Sequence, residues 1–358
     1  MTTFQSITSI KMLNCKRLTD TVLELLEQNI ETNYRIVVLV VGPPGSGKST
    51  IAGQVCQEIN SRFQEYVSRK KPEIIIKKDV AGDAASDLCQ DIPPMTAELR
   101  EELDSGFFYS HVEDTNFIPR EFIDDKDKST VIIGRGGLPN SVRVRNGPLG
   151  LPASKKNIEI AQVVPMDGFH LSRACLNHFR DPQNAHKRRG SPSTFDSNNY
   201  LQLVKILSKS CAMKPPTFQL TGESSDLFGK VCATFSSSLP SIYYPGFDHS
   251  LKDPTIDQHC VDGFTRVIIM EGLYLLLNKE NWQQIYPTVT KTGAVLIWNI
   301  DIDEEFIEVR VAKRHLASGL VETLEEGVKR FRDNDLLNAR MIKQNNLDAN
   351  GIVNIRND

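Results

Sequence analysis

Gly42-Pro43-Pro44-Gly45-Ser46-Gly47-Lys48-Ser49-Thr50 satisfies G-x-x-x-x-G-K-[ST] without a mismatch and follows the apolar run Arg35-Ile36-Val37-Val38-Leu39-Val40-Val41. A buried strand that turns through glycines into a helix presents backbone N–H groups to an anion, and the helix N-terminus adds its partial positive charge. Lys48 is of the right type to reach the β and γ phosphates and Ser49 to hold Mg²⁺. The helix-forming stretch Ile51-Ala52-Gly53-Gln54-Val55-Cys56-Gln57-Glu58-Ile59 supplies the context the motif needs. The reading predicts a site for ATP and Mg²⁺ built on residues 42–50.

Working outward, short apolar runs at 35–41, 160–166, 266–270, 294–300 and 352–355 are separated by helical stretches. Continuous apolar strands of this kind are covered on both faces, so the fold expected is α/β, a doubly wound, mainly parallel sheet. Leu18, Val22, Leu25 and Leu26 recur at helical spacing, which predicts a helical segment over 1–32 ahead of a phosphate-loop domain at 33–358. About 120 residues separate the first two strands where a βαβ unit needs about 30, so an α+β subdomain is expected as an insertion at about 70–158. A second variable patch is expected between Cys211 and Ser238.

The chain has 358 residues, 40% of them hydrophobic, and a formal net charge of −3. That balance offers no general attraction to nucleic acid, and basic stretches interleaved with aromatics are absent from the sequence, so no nucleic-acid partner is expected. Seven cysteines without a C-x-x-C pair suit a reducing compartment. Met1–Ser6 lacks a signal pattern and no apolar stretch has membrane-spanning length, which together predict a cytoplasmic protein without a transmembrane segment.

Three further constellations carry chemistry. Asp167 and His170 follow the strand at 160–166, where side chains face the ligand crevice of an open α/β sheet. Asp167 has the chemistry of a general base for a hydroxyl attacking the γ phosphate. Glu271 ends the run Ile268-Ile269-Met270 and suits the metal side, with Ser49. Arg310 and Arg314 stand i, i+4 on one helix after Asp301 and Asp303, so residues 305–335 are expected to form an Arg-rich helical lid hinged at Gly319 and Gly327.

Taken in this order, the phosphate loop, Met166-Asp167-Gly168-Phe169-His170, Glu271-Gly272 and the Arg-rich segment resemble the phosphoribulokinase, uridine kinase and bacterial pantothenate kinase superfamily of P-loop kinases. Lys187-Arg188-Arg189-Gly190-Ser191-Pro192-Ser193-Thr194-Phe195-Asp196, Tyr244-Pro245-Gly246-Phe247-Asp248, Glu271-Gly272-Leu273-Tyr274-Leu275-Leu276, Arg314-His315-Leu316-Ala317-Ser318-Gly319-Leu320 and Asn334-Asp335-Leu336-Leu337-Asn338-Ala339 look most like its fungal ATP-dependent kinase branch. The resemblance covers about 33–68 and 158–358. It implies Asp167 as base, Glu271 as metal-side acid, Arg310 and Arg314 in the lid, and His170 at substrate or phosphate. For the acceptor, the residues themselves offer Lys187, Arg188, Arg189, Phe195, Asp196, Tyr244, Phe247 and Asp248: cations for an anionic group, aspartates and rings for hydroxyls and a flat face.

The expected activity is transfer of the γ phosphate of Mg-ATP to a hydroxyl of a small metabolite, a sugar, nucleoside or pantothenate-like molecule. The rival is a P-loop ATPase or switch whose inserted subdomain binds a protein, and either a homo-oligomer or a protein partner could use that subdomain. Guanine selectivity has no support, because Asn278-Lys279-Glu280-Asn281 lacks the final Asp of N-K-x-D.

Overall fold

In the computed structural model, residues 15–77, 84–104, 106–147, 149, 158–217 and 226–357 are described. Met1–Ser6, and parts of the expected insertion and of the patch between Cys211 and Ser238, lie outside them. Twelve strands occur among the described residues: β1 (Ile36–Val41), β2 (Ile76–Lys77), β3 (Arg120–Ile123), β4 (Thr130–Ile133), β5 (Val142–Arg145), β6 (Ala161–Pro165), β7 (Phe235–Ser236), β8 (Ser241–Asp248), β9 (Asp253–Val261), β10 (Val267–Gly272), β11 (Val295–Asp301) and β12 (Ile352–Arg356).

The central sheet has the spatial order β12-β11-β1-β10-β6 and every pairing in it is parallel. Its five strands coincide with the five apolar runs of the sequence. β1 is Ile-Val-Val-Leu-Val-Val and buried throughout. The two-residue period of the strand divides it: Val37, Leu39 and Val41 enter the core on one face, Ile36, Val38 and Val40 the core on the other. The helix Lys48–Lys70 covers the second face through Ile51, Val55, Ile59 and Phe63. The helix Cys15–Asn29 joins the same core with Leu18, Val22 and Leu26, each worth roughly 1.5–3 kcal/mol when fully buried, so this helix packs as part of the domain.

Register fixes where the loops emerge. Val40 stands opposite Glu271 and Glu271 opposite Pro165. The phosphate loop after Val41, the carboxylate of Glu271 and the turn after Pro165 therefore leave the sheet at one edge, side by side.

The second sheet, in the order β3-β4-β5-β8-β9, is antiparallel. Here the expectation of an insertion closed within about 70–158 needs correcting. β3, β4 and β5 come from that stretch, but β5 pairs with β8 of a segment about a hundred residues later. This sheet backs the site: a Cβ on Gly168 would lie 2.0 Å from the Pro245 carbonyl of β8, so only glycine lets the turn after β6 rest on that strand.

Candidate active site

The phosphate loop has the backbone its motif demands. Gly45 and Gly47 have φ of 74° and 86°, a region costly for residues with a side chain. Cβ atoms there would meet Val311 Cγ2 at 2.7 Å and Asn357 Nδ2 at 2.6 Å. Ser46 Oγ is buried without a partner, an orphaned polar atom inside the cradle that suits an anionic guest. Asn357 closes the loop from behind by donating from Nδ2 to the Ser46 carbonyl at 2.6 Å.

Lys48 Nζ lies 3.7 Å from Glu271 Oε1, both side chains largely buried. Burial pushes the Glu271 carboxyl above its ordinary range, while Lys48 and a hydrogen bond from Ser49 pull it down. Ser49 and Glu271, the two residues expected to hold Mg²⁺, are thus neighbours, and the pair of oxygens is a fitting donor set for a hard cation.

One cleft is lined by Pro44, Lys48, Ser49, Asp167, Glu271 and Arg314, together with His170, Arg189, Phe195 and Asp335. Lys48, Asp167, Glu271 and Arg314, far apart in sequence, line this one cleft. His170 stacks on Phe195, ring centroids 4.0 Å apart, and its Nδ1 donates to the Asp167 carbonyl at 2.8 Å. Burial lowers its pKa, so the ring is neutral near pH 7 and keeps Nε2 as an acceptor.

Several expected site residues are placed differently. Arg310 diverges from Arg314: its Nη1 donates to the Asn357 carbonyl at 3.0 Å, behind the phosphate loop. Lys187 is exposed and outside the cleft lining. Arg188 donates to Asn334 Oδ1 at 2.5 Å and to Asn338 Oδ1 at 3.0 Å. Arg189 reaches the cleft but donates from Nη2 to Leu171 O and Asp253 Oδ1. Asp196 is fully buried, capping the helix Ser197–Ala212 at Asn199 N and accepting from Gly136 N at 2.8 Å. Tyr244 is buried in the core and donates to the Val163 carbonyl. Asp248 ties its own turn through Ser250 and Leu251. These three read as binding groups in the sequence because a capping Asp, a core Tyr and a turn Asp carry no local mark that separates them from ligand contacts.

The lid segment comprises the helices Glu304–Ala317 and Leu324–Arg330, continued through a π-helical turn at Phe331–Asp335 into the helix Leu336–Asn345. Ile302, Ile307, Val311, Phe331 and Leu336 form a small core beneath it. Gly327 is a packing point and not a hinge, since a Cβ there would lie 2.8 Å from the Ala312 carbonyl. Asn281, from the near match to N-K-x-D, donates to Thr115 O and Asn198 Oδ1 and so fastens the chain locally.

Asp335 and Asn357 received no role from the sequence. Asp335 stands in a segment with a family likeness but no chemical motif. Asn357 acts only because β12 runs beside β11.

In chain order the central strands read 2-3-1-4-5 across the sheet, with a phosphate loop after the first: this is the fold of a P-loop kinase. A family model for the ATPase family associated with various cellular activities (AAA) matches residues 38–92, the part that carries the phosphate loop and its helix. The ATP-dependent kinase YFH7 of Lachancea thermotolerans is 53% identical over 342 residues, spanning 95% of this chain and 97% of the relative. A crystal structure of YFH7 from Saccharomyces cerevisiae, described as a candidate P-loop containing kinase with a circular permutation, superposes with a TM-score of 0.86 at 47% identity, covering 97% of this chain and 100% of that one. A candidate fructose transport system kinase from Silicibacter sp. TM1040 shares the fold at a TM-score of 0.51 and 20% identity, over 96% of this chain and 99% of that one. The chain belongs to the YFH7 family of ATP-dependent P-loop kinases.

Proposed function

We propose that this kinase transfers the γ phosphate of Mg-ATP to a hydroxyl of a small metabolite. The observation that carries the reading is the convergence of Asp167, Lys48, Glu271 and Arg314 on one cleft, from three adjacent strand ends and the lid. Mg²⁺ bound with ATP would supply charge neutralisation at the phosphates, held by Ser49 and Glu271. The backbone N–H groups of residues 45–50 and the Lys48 ammonium hold the phosphates. Asp167 takes the proton of the attacking hydroxyl, and His170, braced on the Asp167 carbonyl, keeps that turn in place. Arg314 stabilises charge that spreads over the transferring group. The wall made by Phe195 and His170 gives a flat sugar or base a surface to lie on.

Asp167→Asn tests the reading, because it keeps the side chain's shape and removes its basicity. With Mg-ATP and a panel of hydroxylated metabolites, phosphorylated product measured by mass spectrometry is expected to fall by ~10² or more while calorimetric ATP affinity holds. Loss of ATP affinity with normal transfer at saturating nucleotide would make Asp167 a binding residue and refute its role as base.

A further inference from the structure

The cleft is charged differently from what three successive cations suggest. Arg188 is clasped by Asn334 and Asn338, whose amide nitrogens in turn donate to the carbonyls of Arg189 and Gly190. Arg189 is paired with Asp253 at 2.9 Å and lies over the Phe247 ring at 5.6 Å. Both guanidinium groups therefore hold the 188–190 loop against its neighbours. Beyond the phosphate-handling Lys48, Ser49, Glu271 and Arg314, what remains for an acceptor is apolar or aromatic wall from Met166, Leu273 and Phe195, the neutral His170, and the carboxylates of Asp167 and Asp335.

Asp335 reaches the cleft through the π-helical turn. A turn closed i to i+5 adds one residue and rotates everything after it by about 100° relative to an α-helix, and such turns recur at functional sites. The consequence here is a division of faces: Leu336, Ala339 and Ile342 are buried, while Asn334, Asp335 and Asn338 line the cleft. Asp335 Oδ2 stands 3.5 Å from His315 Nε2 on the lid helix. Its side chain keeps 18% of its surface exposed, so the carboxylate stands beside His315 on one side and is open on the other.

Resting on the kinase reading above, we infer that Asp335 is a specificity-determining residue that accepts hydrogen bonds from acceptor hydroxyls, and that the acceptor is an uncharged polyhydroxylated molecule, a free sugar or nucleoside in chemical class. A carboxylate accepting from hydroxyls forms charge-assisted bonds of good strength. His170 Nε2 is a further acceptor for the same kind of group. An anionic acceptor would instead set its charge against Asp167 and Asp335, and the guanidinium that faces them, Arg314, is the group assigned above to the transferring phosphate; one such like-charge contact is worth about 10- to 100-fold in kcat/KM.

The test uses the full chain with Mg-ATP and matched pairs that differ in charge: fructose with fructose 6-phosphate, uridine with uridine monophosphate, pantothenol with pantothenate. Coupled ADP release and product mass are read for the wild type, Asp335→Asn and His315→Gln. The neutral member of a pair is expected to be the better acceptor. Asp335→Asn should raise the acceptor KM by about 10- to 100-fold, leave the KM for ATP within about twofold, and narrow the preference for the neutral member. His315→Gln breaks the lid contact but leaves the carboxylate in the cleft, and should keep the acceptor KM near wild type. A wild-type preference for an anionic member overturns the inference while the kinase reading stands. An Asp335→Asn variant that shifts both KM values alike, or neither, also overturns it. Calorimetric ATP binding without stimulation by any acceptor refutes the small-metabolite reading itself, and this inference with it.

Discussion

Replacing Lys48 by methionine separates what the residue does for the fold from what it does for phosphate. Lys48 Nζ sits 3.7 Å from Glu271 Oε1, and the two side chains are only 13% and 8% exposed. Removing one partner of a buried pair leaves the other charge uncompensated, a cost of about 3–5 kcal/mol when the charge cannot escape. Glu271 can escape by taking a proton, since burial already raises its carboxyl and Lys48 is the largest influence holding it down. A carboxyl whose folded pKa is raised favours the folded state when protonated, and that contribution is lost as pH rises through the folded pKa. Without Lys48 the pKa rises further, so Lys48→Met should be destabilised most in mild alkali and progressively less as pH falls. We expect about 3 kcal/mol near pH 8, a fall in Tm of about 5 °C for a chain of this size, and a much smaller deficit near pH 5. Phosphoryl transfer should be at background at either pH. The paired variant Lys48→Met/Glu271→Gln should regain most of the stability and none of the activity. Thermal unfolding by calorimetry at both pH values, with ADP release in parallel, is the assay. An equal Tm deficit at pH 5 and pH 8, or a double variant no more stable than the single one, would refute the coupling drawn here.

Arg314→Ala should lower kcat by at least about tenfold while changing calorimetric ATP affinity by less than about threefold, because a lid cation acts on charge that develops during transfer; equal losses in both would mark a ground-state phosphate contact. In the second sheet, Arg143 bridges Asp124, Asp127 and Asp257 at 2.8, 3.3 and 3.0 Å. Hydrogen bonding to Arg143 holds Asp124 below its usual 3.8, and Ser129 first and then Arg143 does the same for Asp127. A depressed carboxylate stabilises the fold above its unfolded pKa and ceases to do so as pH falls through the folded one. Arg143→Gln should therefore lower Tm by about 1–2 °C at pH 7 and converge with the wild type below pH 3; a constant offset across that range would show that packing, not charge, is what was lost.

The parts of this protein that could be read from its chain are those whose physics is local. A phosphate loop needs its glycines and its lysine in one contiguous stretch, because successive N–H groups must curl round one anion. Buried parallel strands need unbroken apolar runs, which is why β1, β6, β10, β11 and β12 stood out. Carboxylates at the ends of such strands, Asp167 and Glu271, were legible for the same reason: a strand end in an open α/β sheet faces the crevice whichever strand it is. The tertiary structure decided what depends on partners distant in sequence. Strand pairing is not encoded in either strand alone, so the second sheet drew β8 and β9 into what looked like an insertion complete by residue 158. Arg188 and Arg189 carry the same charge in any sequence window; only the fold sets Asn334, Asn338 and Asp253 beside them and turns expected ligand contacts into braces. Asp196 and Tyr244 left the acceptor site by the same route, one to cap a helix and one to meet a strand carbonyl. Asp335 lines the cleft from a single π-helical turn that rotates a helix face, and Asn357 reached the phosphate loop because β12 lies beside β11 at the sheet's edge. Charge and polarity belong to the residue, but whether a group is spent on its own chain or left open to a ligand is settled by which neighbours folding brings within hydrogen-bond reach.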